Sequence, residues 1–290
     1  MTTRLKQRLL SYPEFKGATP NYDDKLARRY YTTAKGRTFN GRFAPYIILE
    51  SNALRRAGEV CPDYGLYRTV GESGSFSLLP VFAPQVSAVI GNTLASLGDP
   101  PSVTVLDMTA GIGMDTLLFL EHAGERRCVE CISVEVDAAT HAVLAANLAA
   151  AKTARPTARV EASAVHGNCL DFVIGFRPPV TFVYIDPPWG GKDYWEMPNG
   201  RNMLYLEDGE GDKLPIFDVV NMVLEEVRTD LVILKAPENF DLETFRSYVA
   251  AADVTATPIL KPGMSHRRFM IAFYLVIIER KRPPPLGVAQ

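Results

Sequence analysis

The sequence predicts an α/β fold in which a mostly parallel sheet is covered by helices. From Pro84 onward, short apolar runs typical of strands alternate with longer stretches whose apolar residues recur at helical spacing. Several of these runs end in acidic or glycine-containing segments, which is where open α/β sheets bind ligands. The predicted strands are 103–107, 131–135, 159–165, 181–185, 231–234, 255–260 and 269–278, and the predicted helices are 84–97, 114–123, 138–154, 215–227 and 242–252.

The composition is that of a globular protein with a full core, because 47% of the 290 residues are apolar and 22% are charged. No apolar run approaches the ~20 residues that span a bilayer, and the N-terminus lacks the apolar segment of a signal peptide. The four scattered cysteines, Cys61, Cys128, Cys131 and Cys169, fit neither a disulfide scaffold nor a metal site. We therefore expect an intracellular protein, nuclear or cytoplasmic, without membrane contact or bound metal.

Basic residues are concentrated at the start of the chain. Residues 1–70 contain 13 Lys and Arg against 6 Asp and Glu, whereas residues 71–290 contain 18 against 27. Arg28-Arg29-Tyr30-Tyr31 mixes cations with aromatic rings, a combination that suits nucleic acid, although chance clustering on a solvated surface explains the charge alone equally well. We divide the chain into a basic α-helical extension for gripping substrate (1–80, with a helix at 43–56), a domain (81–279) and a disordered tail (280–290).

A glycine-containing loop follows the first strand of the domain, which ends at Asp107. The loop carries Thr109, Gly111 and Gly113, and glycines there let the backbone approach a ligand closely. The third glycine of the dinucleotide motif is missing, since position 116 is Thr. Asp107 would repel a pyrophosphate, but it suits the cationic amino-acid part of S-adenosylmethionine. A purely structural turn is the alternative.

Polar residues also follow the second and third strands. Glu135 lies 24 residues after the first glycine of the loop and is placed to accept hydrogen bonds from ribose hydroxyls. Asp137, slightly further on, fits an ordinary acidic helix N-terminus. Asn168 follows the third strand and is a candidate for binding the adenine edge, for which an Asx turn is the alternative reading.

The fourth strand ends abruptly at Asp186-Pro187-Pro188-Trp189. The two prolines remove two N–H groups and fix two φ angles, so the turn is rigid. It offers the Asp186 carboxylate and the Pro187 carbonyl as acceptors for the hydrogens of an exocyclic amine, and Trp189 as a stacking surface for its ring. The alternative is a proline-terminated strand whose Trp189 only packs in the core.

The order of these segments resembles the class I S-adenosylmethionine-dependent methyltransferases. Asp-Pro-Pro-Trp-Gly-Gly-Lys192-Asp-Tyr194 is similar to the Ser-Pro-Pro-Trp-Gly-Gly-Pro-x-Tyr stretch of trimethylguanosine synthases, which methylate guanine N2 in RNA caps. The segments 107–116 and 236–239 are similar to that family's Asp-Ala-Phe-Cys-Gly-Val-Gly-Gly-Asn-Thr and Leu-Pro-Arg-Asn. The chain departs from the family at Asp186, Lys192 and Asn168, where the family has Ser, Pro and Asp.

The resemblance implies a Rossmann-like class I methyltransferase domain with a seven-stranded, mostly parallel sheet whose last two strands form an antiparallel hairpin. It implies methyl transfer from S-adenosylmethionine to the exocyclic N2 of guanine, with capped RNA as the partner. The implied cofactor-binding residues are Asp107, Thr109, Gly111, Gly113, Glu135, Asn168 and Asp186. The implied catalytic residues are Asp186, Pro187 and Trp189, and the implied substrate-binding residues are Trp189, Tyr194, Lys192, Arg267 and Arg268.

Two alternatives stay open at this point. One is an amino-methyltransferase that acts on an internal RNA or DNA base, at adenine N6 or guanine N2. The other is a non-catalytic, methyltransferase-like subunit that binds RNA.

Overall fold

A computed structural model describes residues 19–23, 28–32, 38–40, 82–120, 122, 127–154, 159–190, 194, 201–261 and 271–281. In the N-terminal extension it contains three short antiparallel strands in the order β1 (Thr19–Asp23), β2 (Arg28–Thr32) and β3 (Thr38–Asn40). The predicted α-helical character is therefore wrong for these residues, because their Tyr and Thr content favours strands. The helix predicted at 43–56 lies outside the described residues.

The seven-stranded sheet predicted for the domain is confirmed. Its strands are β4 (Ser102–Asp107), β5 (Cys128–Glu135), β6 (Val160–His166), β7 (Phe182–Ile185), β10 (Leu231–Pro237), β11 (Ala252–Leu260) and β12 (Ile271–Arg280). They lie in the order β11-β12-β10-β7-β4-β5-β6. The five strands from β10 to β6 run parallel, whereas β12 pairs antiparallel with both β10 and β11. This is the Rossmann-like arrangement, with the expected antiparallel hairpin at its edge.

Six helices are described alongside the strands. They are α1 (Ala83–Ser96), α2 (Met114–Leu120), α3 (Ala138–Ala154), α4 (Cys169–Gly175), α5 (Ile216–Glu226) and α6 (Leu242–Tyr248). Pro84 lies in the first turn of α1 and Gly98 follows its end with φ +85°, so both predicted helix signals are confirmed. None of the described helices is long and apolar enough to cross a membrane.

Side chains that alternate along the central strands form two hydrophobic cores, one on each face of the sheet. Val183, Ile185 and Leu234 contribute to the core that contains the buried face of α5. Phe182 and Tyr184 contribute to the other core, which contains buried residues of α1, α2 and α3. Because neighbouring strand residues point to opposite faces, residues 184, 186 and 235 all belong to the α2 face.

Further departures from the sequence prediction concern short elements and the ends of longer ones. The loop predicted between 199 and 213 contains a hairpin of β8 (Tyr205–Glu207) and β9 (Lys213–Pro215), whose turn is fixed by Asp208 accepting hydrogen bonds from the N–H groups of residues 210 and 212. Helix α4 is absent from the predicted elements. Strand β12 extends to Arg280, the first residue of the predicted disordered tail, and residues 282–290 lie outside the described part of the chain.

The two glycines after β4 have different structural roles, which stability measurements can separate. Gly111 has φ +54° and open space where a Cβ would lie, whereas Gly113 has φ +91° and a Cβ there would lie 2.8 Å from Leu144. We expect Gly111→Ala to cost about 1 kcal/mol of unfolding free energy from backbone strain alone. Gly113→Ala should cost about 1–3 kcal/mol more from overpacking. Equal losses in urea unfolding would contradict this packing role of Gly113.

Candidate active site

Asp107 lies at the carboxyl end of β4 and is fully buried. Its carboxyl accepts a hydrogen bond from Thr116 Oγ1 at 2.6 Å and a longer one from Thr109 N at 3.4 Å. Burial raises the pKa of Asp107 to about 8, although the Thr116 hydroxyl acts in the opposite direction and the Asp115 charge adds to the increase. Asp107 is therefore predominantly a neutral acid at pH 7 in this structure.

Thr109 connects the glycine loop to the Asp-Pro-Pro-Trp turn. The backbone N–H of Asp186 donates to Thr109 Oγ1 at 2.6 Å, and Met108 N donates to Tyr184 O at 2.9 Å. The loop after β4 and the turn after β7 are neighbours because β4 and β7 pair in parallel. The structure thus brings Asp107, Thr109 and Asp186 together at the carboxyl ends of the parallel strands, which we call this edge of the sheet.

Glu135 ends the adjacent strand β5 and lies beside the glycine loop. Its carboxylate accepts a hydrogen bond from Asp137 N at 2.8 Å and interacts with the backbone N–H of Gly111. Burial raises the pKa of Glu135, and these backbone groups partly offset the effect. Val136, next in the chain, is an exposed apolar side chain with 63% of its surface accessible.

Asp137 and Asn168 both act as helix caps. Asp137 Oδ1 accepts from Thr140 N at 2.8 Å, which confirms its interpretation as an ordinary helix N-terminus. Asn168 is the N-cap of α4, where its Oδ1 accepts from Leu170 N and its Nδ2 donates to the Glu207 carbonyl, each at 2.8 Å. The Asx-type reading of Asn168 is thus correct, and an adenine contact of the same residue stays a prediction.

A buried ion cluster lies beneath the turn, and we define it by Asp115, Lys235, Asp186 and Tyr184. Lys235 Nζ binds Asp186 Oδ2 at 2.6 Å and Asp115 Oδ2 at 3.2 Å, and the Tyr184 hydroxyl donates to Asp115 Oδ1 at 2.9 Å. The side chains of Lys235, Asp115 and Asp186 are only 4%, 9% and 14% exposed. The ammonium of Lys235 also lies 5.4 Å from the centre of the Phe273 ring.

Burial and the charges of the cluster shift the pKa values of Asp186, Lys235 and Tyr184. Burial raises the pKa of Asp186 to about 6, with Lys235 opposing the increase and Asp115 adding to it. Burial alone would lower the pKa of Lys235, but Asp115 and Asp186 outweigh it and raise that pKa above its usual value. Burial and the Asp115 charge raise the pKa of Tyr184, so it is a neutral phenol at pH 7.

Trp189 is partly buried and packs against both cores, with its ring centre 6.2 Å from that of Phe273 and 5.5 Å from that of Tyr194. Its indole N–H is buried without a hydrogen-bond partner of good geometry among the described residues, yet it lies near enough to Asp186 to lower that residue's pKa slightly. Two asparagines fix the backbone here: Asn202 Nδ2 donates to Trp189 O and Asn239 Nδ2 to Tyr194 O, each at 3.0 Å.

The remaining predicted substrate residues, Lys192, Arg267 and Arg268, lie outside the described residues. Asp115 and Lys235 belong to the site but not to the residues predicted from the sequence. A signal for Lys235 exists, because it is a single charged residue directly after the apolar run Leu231-Val-Ile-Leu, and the predicted strand stops just before it, three residues short of the observed end at Pro237. Asp115 has no comparable signal, since an acid in the first turn of a helix is ordinary.

Neither a protein-family model nor a curated protein sequence matches the chain. Solved structures similar to it include a candidate RNA methyltransferase from Pyrococcus horikoshii (19% identity, 68% of this chain, 84% of that chain, TM-score 0.41). A second is the precorrin-6y C5,15-methyltransferase from Geobacter metallireducens (14% identity, 68% of this chain, 88% of that chain, TM-score 0.42). A third is an O-methyltransferase from Bacillus cereus in complex with S-adenosylhomocysteine (12% identity, 71% of this chain, 84% of that chain, TM-score 0.41). Likeness at this level does not transfer an activity to this chain.

The raised pKa of Asp107 predicts how stability depends on pH. Between its unfolded value of 3.8 and its folded value of about 8, the folded state binds a proton that the unfolded state has released. The contribution of Asp107 to the unfolding free energy therefore falls as the pH rises through this window. Asp107→Asn should remove this decline and unfold at a higher temperature than the wild type at pH 8, as measured by calorimetry. An unchanged pH dependence would contradict the neutral state of Asp107.

The ion cluster predicts a large loss of stability when its cation is removed. Lys235→Met leaves two buried carboxylates without a counter-ion, and we expect a loss of about 3–5 kcal/mol in chemical unfolding at pH 7.5. The double variant Asp115→Asn/Lys235→Met removes one of the two carboxylate charges and should recover part of that loss. A single variant as stable as the wild type would show that the cluster is not a stabilising ion pair.

Proposed function

We propose that the protein transfers a methyl group from S-adenosylmethionine to an exocyclic amine of a nucleobase, with guanine N2 of a 7-methylguanosine RNA cap as the first candidate. The observation that carries this proposal is the charge of the site. Asp115 and Asp186 share the single buried cation Lys235, and the Asp107 carboxyl, which is neutral in this structure, lies beside them at the carboxyl ends of the strands, where a bound cation would favour its ionised form. An edge with this excess of acids favours a cationic ligand and disfavours a phosphate.

The residues at this edge fit a cofactor with an ammonium, a sulfonium and an adenosine. Gly111 leaves open space beside its Cα, which permits close approach of a ligand to the loop. Asp107 would bind the cationic part, Glu135 the ribose hydroxyls, and exposed Val136 one face of the adenine. When bound, the cofactor supplies an electrophilic methyl group on a positively charged sulfur.

The turn after β7 would hold the amine. Lys235 holds Asp186 by one carboxylate oxygen, and we propose that the other oxygen and the Pro187 carbonyl accept the two amine hydrogens. Both acceptors lie on a rigid turn, so their hydrogen bonds to the amine would orient the nitrogen lone pair toward the methyl group of the cofactor. Trp189 would stack on the base, with an additional cation–π attraction if that base is a positively charged 7-methylguanine.

Two other functions compete with this proposal. Methylation of an internal base, at adenine N6 or guanine N2, would use the same acceptors with a different ring against Trp189. A non-catalytic RNA-binding subunit would have no need for the acidic edge, and the intact set of Asp107, Glu135 and Asp186 weighs against it.

The test uses radiolabelled S-adenosylmethionine and three dinucleotide caps: 7-methylguanosine-capped, unmethylated, and 2,7-dimethylguanosine-capped. We expect transfer to the first, and transfer to the third as well if the enzyme adds two methyl groups. Asp186→Ala should lower kcat/KM by about 100-fold or more because an acceptor for the amine is lost. Trp189→Ala should raise the KM for the 7-methylguanosine cap about 10-fold because base stacking is lost, whereas Trp189→Phe, which keeps a ring, should lie between.

The outcomes divide the candidates. Transfer to the unmethylated cap with equal efficiency would show that the positive charge of 7-methylguanine is not recognised. No transfer to any cap, together with tight cofactor binding, would move the assignment to an internal base. No cofactor binding at all would contradict the methyltransferase proposal.

A further inference from the structure

We infer that Asp186 accepts the proton that the amine releases, and that Lys235 and Asp115 make this possible by stabilising the cluster both before and after the transfer. This inference rests on the proposed function and goes beyond it, because positioning alone needs Asp186 only as a hydrogen-bond acceptor.

The charges of the ion cluster do not balance. Two carboxylates share one ammonium, since Lys235 binds Asp186 at 2.6 Å and Asp115 at 3.2 Å, and Tyr184 contributes a neutral hydroxyl. With both carboxylates ionised, the buried group carries one uncompensated negative charge. Such a charge is costly in a buried environment unless it can be neutralised.

The two carboxylates differ in their hydrogen bonds and in their exposure. Asp115 accepts hydrogen bonds from both Lys235 and Tyr184, one on each carboxylate oxygen. Asp186 is the more exposed of the two carboxylates and lies at the start of the Asp-Pro-Pro-Trp turn, where its backbone N–H donates a hydrogen bond to Thr109 Oγ1. If Asp186 becomes neutral, Lys235 and Asp115 remain a balanced pair with Tyr184 still bound.

The groups that face Asp186 come from four elements. They are Lys235 from β10, Asp115 from the start of α2, Asp107 from the end of β4 and Tyr184 from β7, together with the nearby indole N–H of Trp189. Lys235 and the indole favour the ionised carboxylate, whereas burial and the acidic neighbours favour the protonated one. Their balance places the pKa at about 6, which leaves Asp186 mostly ionised at neutral pH and able to accept a proton.

The proposed chemical step moves one methyl group and one proton. The nitrogen lone pair forms a bond to the methyl carbon while the carbon–sulfur bond breaks and its electron pair stays on sulfur. The nitrogen, now positively charged, gives one proton to the Asp186 carboxylate. The products are a neutral methylated amine, a neutral thioether and a protonated Asp186, which later releases its proton to solvent. The cluster passes from a net charge of −1 to zero, so Lys235 keeps a counter-ion throughout.

The first measurement needs no substrate or cofactor. Infrared difference spectra between the wild type and Asp186→Asn, recorded across a pH series, give the protonation midpoint of Asp186. We expect a midpoint near pH 6. Asp115→Asn should lower the midpoint because it removes a like charge. The double variant Asp115→Asn/Lys235→Met should raise it, because the Lys235 effect on Asp186 is larger than that of Asp115. Each reference is the same protein carrying Asp186→Asn.

The second measurement is the pH profile of methyl transfer to the capped dinucleotide. The rate constant kcat/KM should rise with pH through the midpoint, and this acid limb should move down in Asp115→Asn and up in the double variant. Asp186→Asn keeps an oxygen that accepts the amine hydrogen but cannot take the proton, so kcat should fall by about 100-fold or more while KM for the cap stays within about threefold. Asp253→Asn, an exposed site on β11, is the matched control and should behave as the wild type.

The two measurements separate the possible failures. Methyl transfer with full kcat in Asp186→Asn, or with acid limbs that do not follow the infrared midpoints, would overturn proton acceptance while leaving the proposed function intact. A uniform loss of rate at every pH in all variants would show a merely structural cluster and would also overturn the inference. If no base is methylated while the infrared midpoints of Asp186 are as expected, the proposed function is overturned. Proton acceptance by Asp186 during methyl transfer is then overturned with it.

Discussion

The ion pair between Lys235 and Asp186 determines how the edge of the sheet is built. It joins the last part of β10 to the turn after β7, and through Asp115 it also fixes the start of α2. The pairing follows from the fold, because Ile233 pairs with Tyr184 in parallel and residues two further along each strand point to the same face. The glycine loop, which ends where α2 begins, is thereby held in a fixed position relative to the Asp-Pro-Pro-Trp turn.

The acidic residues at this edge favour one of two classes of ligand that the same sheet architecture can bind. A glycine loop after the first strand is compatible with a dinucleotide or with S-adenosylmethionine. Here the loop is flanked by Asp107 and Asp186, and the nearest buried cation, Lys235, is already bound to two carboxylates. A pyrophosphate would meet no free positive charge among these groups, whereas an ammonium or sulfonium would meet an environment that stabilises it and would favour the ionised form of Asp107.

The elements whose pattern is local could be predicted from the sequence. The apolar face of α5 agrees with the structure because its helical periodicity extends over the whole element, and the bounds of α3 agree because that segment is a long run rich in alanine, the strongest helix former. Prediction failed for the three-residue strands β8 and β9 and for the strands β1 to β3, which depend on pairing with a partner rather than on their own pattern. It also missed the contact of Lys235 with Asp115, whose positions in the chain are 120 residues apart. Long-range charge pairing of this kind leaves no regular spacing in a single sequence.

We propose that the site at the carboxyl ends of these strands binds a cationic nucleoside and not a phosphate-bearing one, and a calorimetric titration would distinguish the two. The protein would be titrated with S-adenosylmethionine, S-adenosylhomocysteine and oxidised nicotinamide adenine dinucleotide under identical conditions. We expect saturable 1:1 binding of S-adenosylmethionine that is weakened in Asp107→Ala, together with no detectable binding of the dinucleotide. Binding of the dinucleotide in preference to S-adenosylmethionine would contradict the claim.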